Sequence, residues 1–230
     1  MEIKKQEFNK PIRDIAYDTL KHAIITGEIP AGSRIVETEY AAKLHISRTP
    51  LREALRKLER DGLVEYMIRR GVIVRAFTIE DVEEIYNIRN SLELLTIPYI
   101  IKNVTREDII YMRNLLNKMD GLLENNSLED LSVLAREFHS YLIGISKLNR
   151  IISVINSQDE YIKRFSALSI ARESRREEAH KEHYEILNCV ENKKVEELKE
   201  VIQKHIERSK SMCILALKES KKLLSRDKTN

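Results

Sequence analysis

The sequence contains little glycine, proline or cysteine and no tryptophan. Its 230 residues include 6 glycines, 4 prolines and 2 cysteines. So few turn-forming residues exclude a loop-rich protein and favour long, uninterrupted helices. The two cysteines, Cys189 and Cys213, form no metal-binding or redox motif, so a reducing cytoplasm is the expected location.

The sequence also lacks a hydrophobic run of membrane-spanning length, and its first ten residues lack the apolar core of a signal peptide. These two absences predict a protein of the cytosol with no membrane partner. Hydrophobic residues make up 42% and charged residues 33% of the chain, which favours a globular protein with a helical bias.

The formal net charge of +3 is too small to indicate a partner by itself, but its distribution is uneven. Residues 1–77 carry 15 Lys and Arg against 11 Asp and Glu, whereas the remaining 153 residues carry 25 against 26. The basic excess therefore lies in the N-terminal third of the chain, as expected for a protein that binds nucleic acid there.

The segment from Ser47 to Val64, SRTPLREALRKLERDGLV, predicts a helix with two different faces. Apolar residues at helical spacing form the packing face: Leu51, Ala54, Leu55 and Leu58. Arginines recur every fourth residue on the other face: Arg48, Arg52, Arg56 and Arg60. Ser47 or Thr49 can cap the start of this helix, and Gly62 can end it. A packing face opposite a basic face indicates nucleic-acid binding, and a merely solvated face is the alternative.

The segments around this helix predict a winged helix-turn-helix. Two helices, over about 11–26 and 37–44, precede the arginine helix at the spacing of a tight turn. Two strand-like runs, 63–67 and 71–75, follow it and form a predicted hairpin. Arg69 and Arg70 lie at the tip of this wing, and Gly71 allows the backbone to approach DNA closely.

From residue 78 onward the sequence predicts helix after helix and no strand. Thr78 and Thr105 are candidate helix caps, and further helices are expected over 128–146, 150–171, 175–191 and 195–224. The expected fold is therefore mainly α: a winged helix-turn-helix domain over residues 1–77, followed by an antiparallel helical bundle over 78–230.

Three histidines of the bundle lie at the edges of apolar helical stripes: His139, His183 and His205. Imidazoles that point into one bundle from three helices could converge on a divalent metal. Hydrogen-bonded core histidines are the alternative, because separations of 44 and 22 residues form no local metal motif.

Charged residues of the bundle have less definite expectations. Arg89 can pair with a ligand carboxylate or form an i, i+4 salt bridge with Glu93. His180 is expected at a solvated helix end. Three further arginines are expected at the surface: Arg172, Arg175 and Arg176.

At this point the residues resemble a known family. The run from Ile24 to Val74 resembles the DNA-binding domain of GntR transcription regulators in four motifs: the GEIPAG turn at 27–32, SRTPLREAL at 47–55, DGLV at 61–64 and RRG at 69–71. The helical remainder is similar to the FCD ligand-binding domain of the FadR subfamily, in Arg89 with Glu93, Phe138-His139, Asn149, Glu182-His183, Ile186-Leu187 and His205-Ile206.

The resemblance implies which residues read DNA. It assigns DNA contacts to Ser47, Arg48, Thr49 and Arg52 of the recognition helix and to Arg69, Arg70 and Gly71 of the wing. Two residues depart from the family pattern. Thr38 stands where some members have an arginine that contacts DNA. His45 replaces the usual glycine of the turn, at a position where a positive φ is expected.

The resemblance also implies a ligand site in the helical domain. In this family the positions of His139, His183 and His205 bind a divalent metal such as zinc or nickel, one per subunit, together with an aspartate whose position here is Ala135. Because alanine cannot ligate, water or ligand oxygens would complete the shell. The implied effector is a small organic acid, with Arg89 as its arginine contact.

The resemblance predicts a homodimeric, ligand-responsive regulator that binds a palindromic DNA operator, with repression as the expected sign. Two other classes of protein stay open. A metal-binding helical-bundle enzyme would use the three histidines, although no adjacent His-Asp or Glu pair supplies a general base. A helical interaction protein would make the SRTPLREAL block an accident.

Overall fold

The chain divides into two units, Met1–Thr78 and Ile79–Asn230. The computed structural model describes residues 10–125, 127–158, 161–162 and 173–226.

The N-terminal unit is the predicted winged helix-turn-helix. Its elements are α1 (Ile12–Thr26), β1 (Arg34–Ile35), α2 (Glu37–Lys43), α3 (Arg48–Arg60), β2 (Val64–Met67) and β3 (Gly71–Val74). The antiparallel strands follow the order β1-β3-β2. The hairpin β2–β3 is the predicted wing. Strand β1 was not predicted, because two residues are too few to show an alternating pattern.

Helix α3 forms because its apolar stripe is buried against α1. Leu51, Leu55 and Leu58 are all 0% exposed. Ser47 occupies the N-cap position, but its side chain makes no capping hydrogen bond, so the expected cap by its hydroxyl is not present. Gly62 follows the end of the helix with a φ of 70°, in the left-handed conformation expected for a helix stop.

The turn between α2 and α3 contains the residue that replaces glycine in the family pattern. His45 has a φ of 54°, which confirms the expected positive value. Two backbone hydrogen bonds close the turn, from the His45 N–H to the Ala42 carbonyl and from the Ile46 N–H to the Ala41 carbonyl, at 3.1 and 3.0 Å. The turn thus needs a residue that tolerates left-handed backbone.

The described part of the second unit is helical. Its helices are α4 (Ile79–Asn103), α5 (Arg106–Glu124), α6 (Leu128–Ile145), α7 (Asn149–Ser157), α8 (Glu173–Glu191) and α9 (Val195–Arg226). The helix predicted over 150–171 is described only in part, and residues 163–172 lie outside the described ranges. No helix within those ranges is long and apolar enough to span a membrane.

Packing in this unit places four helices around one interior. Helix α9 packs on α4 and α8, while α5 packs on α6 and α8. Phe138 of α6 and Met112 of α5 are 0% exposed, so their side chains belong to the centre of the core. Thr105 caps α5 as predicted, in a capping box with Asp108 that fixes where α5 begins.

The backbone at His45 makes a prediction about stability. A non-glycine residue in left-handed backbone costs roughly 1–2 kcal/mol, and a β-branched residue fits that conformation worst. We therefore expect His45→Val to unfold at lower urea concentration than His45→Gly, by about 1 kcal/mol of unfolding free energy or more. Urea titrations of both full-length variants measure the difference, and equal midpoints would contradict the requirement for positive φ.

Candidate functional site

The predicted DNA-reading residues of α3 lie together at the exposed start of the helix. Ser47, Arg48, Thr49 and Arg52 are all exposed. In the wing, Arg69 and Arg70 are exposed in the turn that joins β2 to β3, and Gly71 begins β3 with a φ of 77°. The N-terminal unit thus presents one basic helix end and one basic hairpin tip to solvent.

A glutamate that sequence reasoning missed organises the two arginines of α3. Oε2 of Glu37 accepts hydrogen bonds from Nη2 of Arg48 at 3.1 Å and from Nε of Arg52 at 2.7 Å. Partial burial raises the pKa of Glu37, but the hydrogen bonds to Arg52 and Arg48 outweigh burial and lower it overall. Glu37 therefore holds both guanidinium groups on one side of the exposed helix end.

The three predicted histidines of the second unit converge. His139 of α6, His183 of α8 and His205 of α9 each have a potential ligand atom within 4.8 Å of the others. The centroids of their rings are 4.9–5.0 Å apart. We call these three residues the histidine cluster.

Burial keeps part of the histidine cluster in the uncharged form that binds metals. All three side chains are buried. Desolvation, with a further effect from the neighbouring His205, holds the pKa of both His139 and His183 well below the usual range. These two imidazoles are therefore neutral near pH 7, and a neutral imidazole offers a lone pair to a metal.

A buried carboxylate orients the third histidine. Nδ1–H of His205 donates to Oε2 of Glu182 at 2.6 Å, which leaves Nε2 of His205 available as a ligand. Glu182 also accepts hydrogen bonds from Arg175 at 2.8 Å and from Arg208 at 2.5 Å. Burial raises the pKa of Glu182, but the hydrogen bonds with His205 and the two arginines outweigh it and lower the pKa to about 2.

The residues present fit a divalent metal. Metal–nitrogen distances of about 2.0–2.1 Å place neighbouring ligand atoms about 3 Å apart, and Nε2 of His139 lies 3.1 Å from Nε2 of His183. The alternative of fully hydrogen-bonded core histidines fits less well, because the Nδ1 atoms of both residues are buried without a partner among the described residues. No Asp or Glu joins the cluster within the described ranges. Ala135 lines the adjoining cavity, so water or ligand oxygens must complete a shell.

A cavity of about 100 Å³ adjoins the histidine cluster. Arg89 and Glu93 of α4 line it, and their side chains form the i, i+4 salt bridge that was the alternative expectation for Arg89, with Nε to Oε1 at 2.5 Å. Arg175 and Arg176 of α8 also line the cavity. The cavity therefore combines imidazoles, cations and one carboxylate in a small buried volume.

Two expectations for α8 were wrong. Arg175 and Arg176 are 3% and 9% exposed rather than at the surface; Arg175 is buried because Glu182 and Glu178 of the same helix neutralise its charge. His180 is 8% exposed rather than solvated, because α5 packs on α8 and brings Oδ1 of Asp120 to 2.6 Å from its Nε2. Arg172 lies outside the described residues.

Two protein-family models match the chain. The model described as bacterial regulatory proteins, gntR family, matches residues 13–74, and the FCD domain model matches residues 84–208. The chain belongs to the GntR family. The second match covers more than half of the chain and contains Arg89 and the whole histidine cluster. The family resemblance of the sequence is thereby confirmed.

Similar proteins are regulators of transcription. The chain is 31% identical to the uncharacterized HTH-type transcriptional regulator YdhC of Bacillus subtilis (strain 168), over 82% of this chain and 85% of that protein. It is 32% identical to the Nta operon transcriptional regulator of Aminobacter aminovorans, over 77% and 82% of the two chains. The solved structure of E. coli McbR/YncC shares the fold, with a TM-score of 0.67 at 19% identity over 89% of this chain and 97% of that chain. GntR regulators with an FCD domain generally bind DNA and respond to ligands, and FCD domains often bind metal.

The histidine cluster makes a prediction about metal stoichiometry. Chelator-stripped protein should bind one zinc ion per chain in a calorimetric titration, because three ligand atoms converge. His183→Ala should lose this site, while His22→Ala, which changes an exposed histidine of the other unit, should keep it. Equal stoichiometry and affinity in wild type and His183→Ala would exclude ligation by the cluster.

Proposed function

We propose that this GntR regulator is a homodimeric repressor that binds a palindromic operator and releases it when a small organic acid enters the helical domain. The observation that carries the proposal is the histidine cluster, which opens on a buried cavity lined by arginines inside the FCD domain. Imidazoles and guanidinium groups are suited to a metal and to the carboxylate of an organic acid.

Residues 1–77 form the DNA-binding domain in this proposal. A guanidinium group can donate two parallel hydrogen bonds to O6 and N7 of guanine, which is worth about 1–3 kcal/mol of discrimination. Since Nε of Arg52 contacts Glu37, its terminal nitrogens are directed to a base edge. Arg48 reads or neutralises the neighbouring position. Ser47 and Thr49, whose hydroxyls lie at the exposed helix start, donate to phosphate oxygens.

The wing supplies a second set of contacts. Arg69 and Arg70, at the tip of the hairpin, contact phosphates or the adjoining minor groove, and Gly71 allows the backbone to come close. Because a symmetric dimer presents two such winged helices, the operator is a palindrome whose half-site spacing follows the dimer. Repression then needs only occupancy, since the bound dimer excludes other proteins from that DNA. The protein acts in the cytoplasm.

Residues 78–230 form the effector-binding and dimerisation domain. One divalent metal per subunit, such as zinc or nickel, is held by the three histidines and supplies a Lewis acid for a ligand oxygen. Arg89 contacts the effector carboxylate through guanidinium N–H groups other than Nε, which Glu93 occupies. Effector binding favours a dimer geometry with lower operator affinity, and its differential affinity for the two geometries limits the size of the effect.

The recognition-helix assignment predicts the behaviour of two arginine variants. Arg52→Ala should lower specific affinity by about 2 kcal/mol or more, roughly 30-fold, because both half-sites lose a bidentate contact. Arg60→Ala, at the far end of the same exposed face, should change affinity little and equally for all sequences. Fluorescence anisotropy with a DNA site selected from a random pool, and with a scrambled site, measures both effects.

Circular dichroism provides the folding control for these variants. A folded Arg52→Ala protein that binds the selected site with unchanged affinity would contradict the role of this residue.

A further inference from the structure

We propose that Glu93 reads the effector: its second carboxylate oxygen accepts a hydrogen bond from a hydroxyl or ammonium group on the acid. The helical domain then selects acids that carry such a donor over plain carboxylic acids. This inference rests on the proposed carboxylate effector and specifies its second functional group.

The first observation is the state of the Glu93 carboxylate. The side chain is 2% exposed and lies on α4, where Oε1 accepts a hydrogen bond from Nε of Arg89 at 2.5 Å. Oε2 is buried and has no hydrogen-bond partner among the described residues. Leaving a buried acceptor unsatisfied is unfavourable, more so for a charged group. A partner from outside the chain would remove that penalty.

The second observation is where such unsatisfied atoms occur. Six buried side-chain nitrogen or oxygen atoms lack a partner within the described part of the chain, on Asn90, Glu93, His139, Arg175, His180 and His183. All of these residues except Asn90 line the cavity. Buried polar groups are normally paired, so their concentration around one small cavity indicates a polar ligand.

The third observation is the division of charge around the cavity. Nε of Arg175 is an unsatisfied donor on a side chain that is 3% exposed, and it lies on the same cavity wall as the histidine cluster. A donor of this kind attracts a carboxylate, whereas Oε2 of Glu93 repels one and accepts only from a donor. Complementarity to both groups therefore requires an acid that also carries a hydroxyl or an ammonium group.

The size of the site narrows the class further. A cavity of about 100 Å³ admits only a small acid, so the donor must lie close to the carboxylate. Hydroxy acids and amino acids both meet this description. They differ in charge, because an ammonium group would also neutralise the Glu93 carboxylate, while a hydroxyl group would only hydrogen-bond to it.

Three acids with the same carbon skeleton test the proposal: propionate, lactate and alanine differ only in the substituent next to the carboxylate. Calorimetric titration of the zinc-supplemented full-length protein should show that lactate or alanine binds about tenfold or more tightly than propionate, since propionate leaves Oε2 of Glu93 unpaired. The preferred member of the pair identifies the donor as hydroxyl or ammonium.

Two variants of α4 assign the discrimination to its source. Glu93→Gln keeps the shape of the side chain but removes its charge, so the tenfold preference should fall, and most strongly if alanine is the preferred ligand. Glu84→Gln changes an exposed carboxylate of the same helix and should retain the wild-type preference. The wild-type comparison stands by itself if Glu93→Gln does not fold.

The outcomes separate this inference from the proposed function. If propionate binds within tenfold of both other acids, or if folded Glu93→Gln retains the full preference, the role of Glu93 is overturned while a carboxylate effector stands. If none of the three acids binds, the carboxylate effector is overturned, and the role of Glu93 with it.

Discussion

The structure of the helical domain depends on keeping ionisable side chains buried around one cavity. Burying a polar group without a partner is unfavourable by about 1–3 kcal/mol, and several such groups face this cavity. Because α4, α6, α8 and α9 each contribute one or more of them, the whole bundle determines the spacing of these groups. A domain that retains this arrangement is less stable than an apolar one of the same fold, and binding of a complementary ligand would recover the difference.

Glu182 is the residue that makes such burial tolerable. Its carboxylate contacts a ring nitrogen of His205 and the guanidinium groups of Arg175 and Arg208. It therefore orients a candidate metal ligand and neutralises a cavity cation at the same time. The family signature Glu182-His183 has a physical explanation here, since two adjacent residues of α8 serve two different imidazoles of one cluster.

Much of the fold could be predicted because its signals are local. The stripe of Leu51, Leu55 and Leu58 predicts α3 directly, and the positive φ of His45 follows from its place in the turn. The burial of Arg175 and His180 could not be predicted in this way. A charged residue on a helix is buried only when partners neutralise it, and Asp120, the partner of His180, lies 60 positions away on another helix. The role of Glu37 was missed for the same reason, because its partners Arg48 and Arg52 belong to the next helix.

The central claim is that ligand binding in the helical domain is coupled to operator binding. Thermodynamic linkage makes coupling reciprocal, so the most direct measurement is the affinity for the preferred acid with and without saturating operator DNA. We expect the DNA to weaken binding of the acid by about fivefold or more, and by the same factor by which the acid weakens binding of the operator. An affinity for the acid that is the same in the free and DNA-bound protein would contradict the claim.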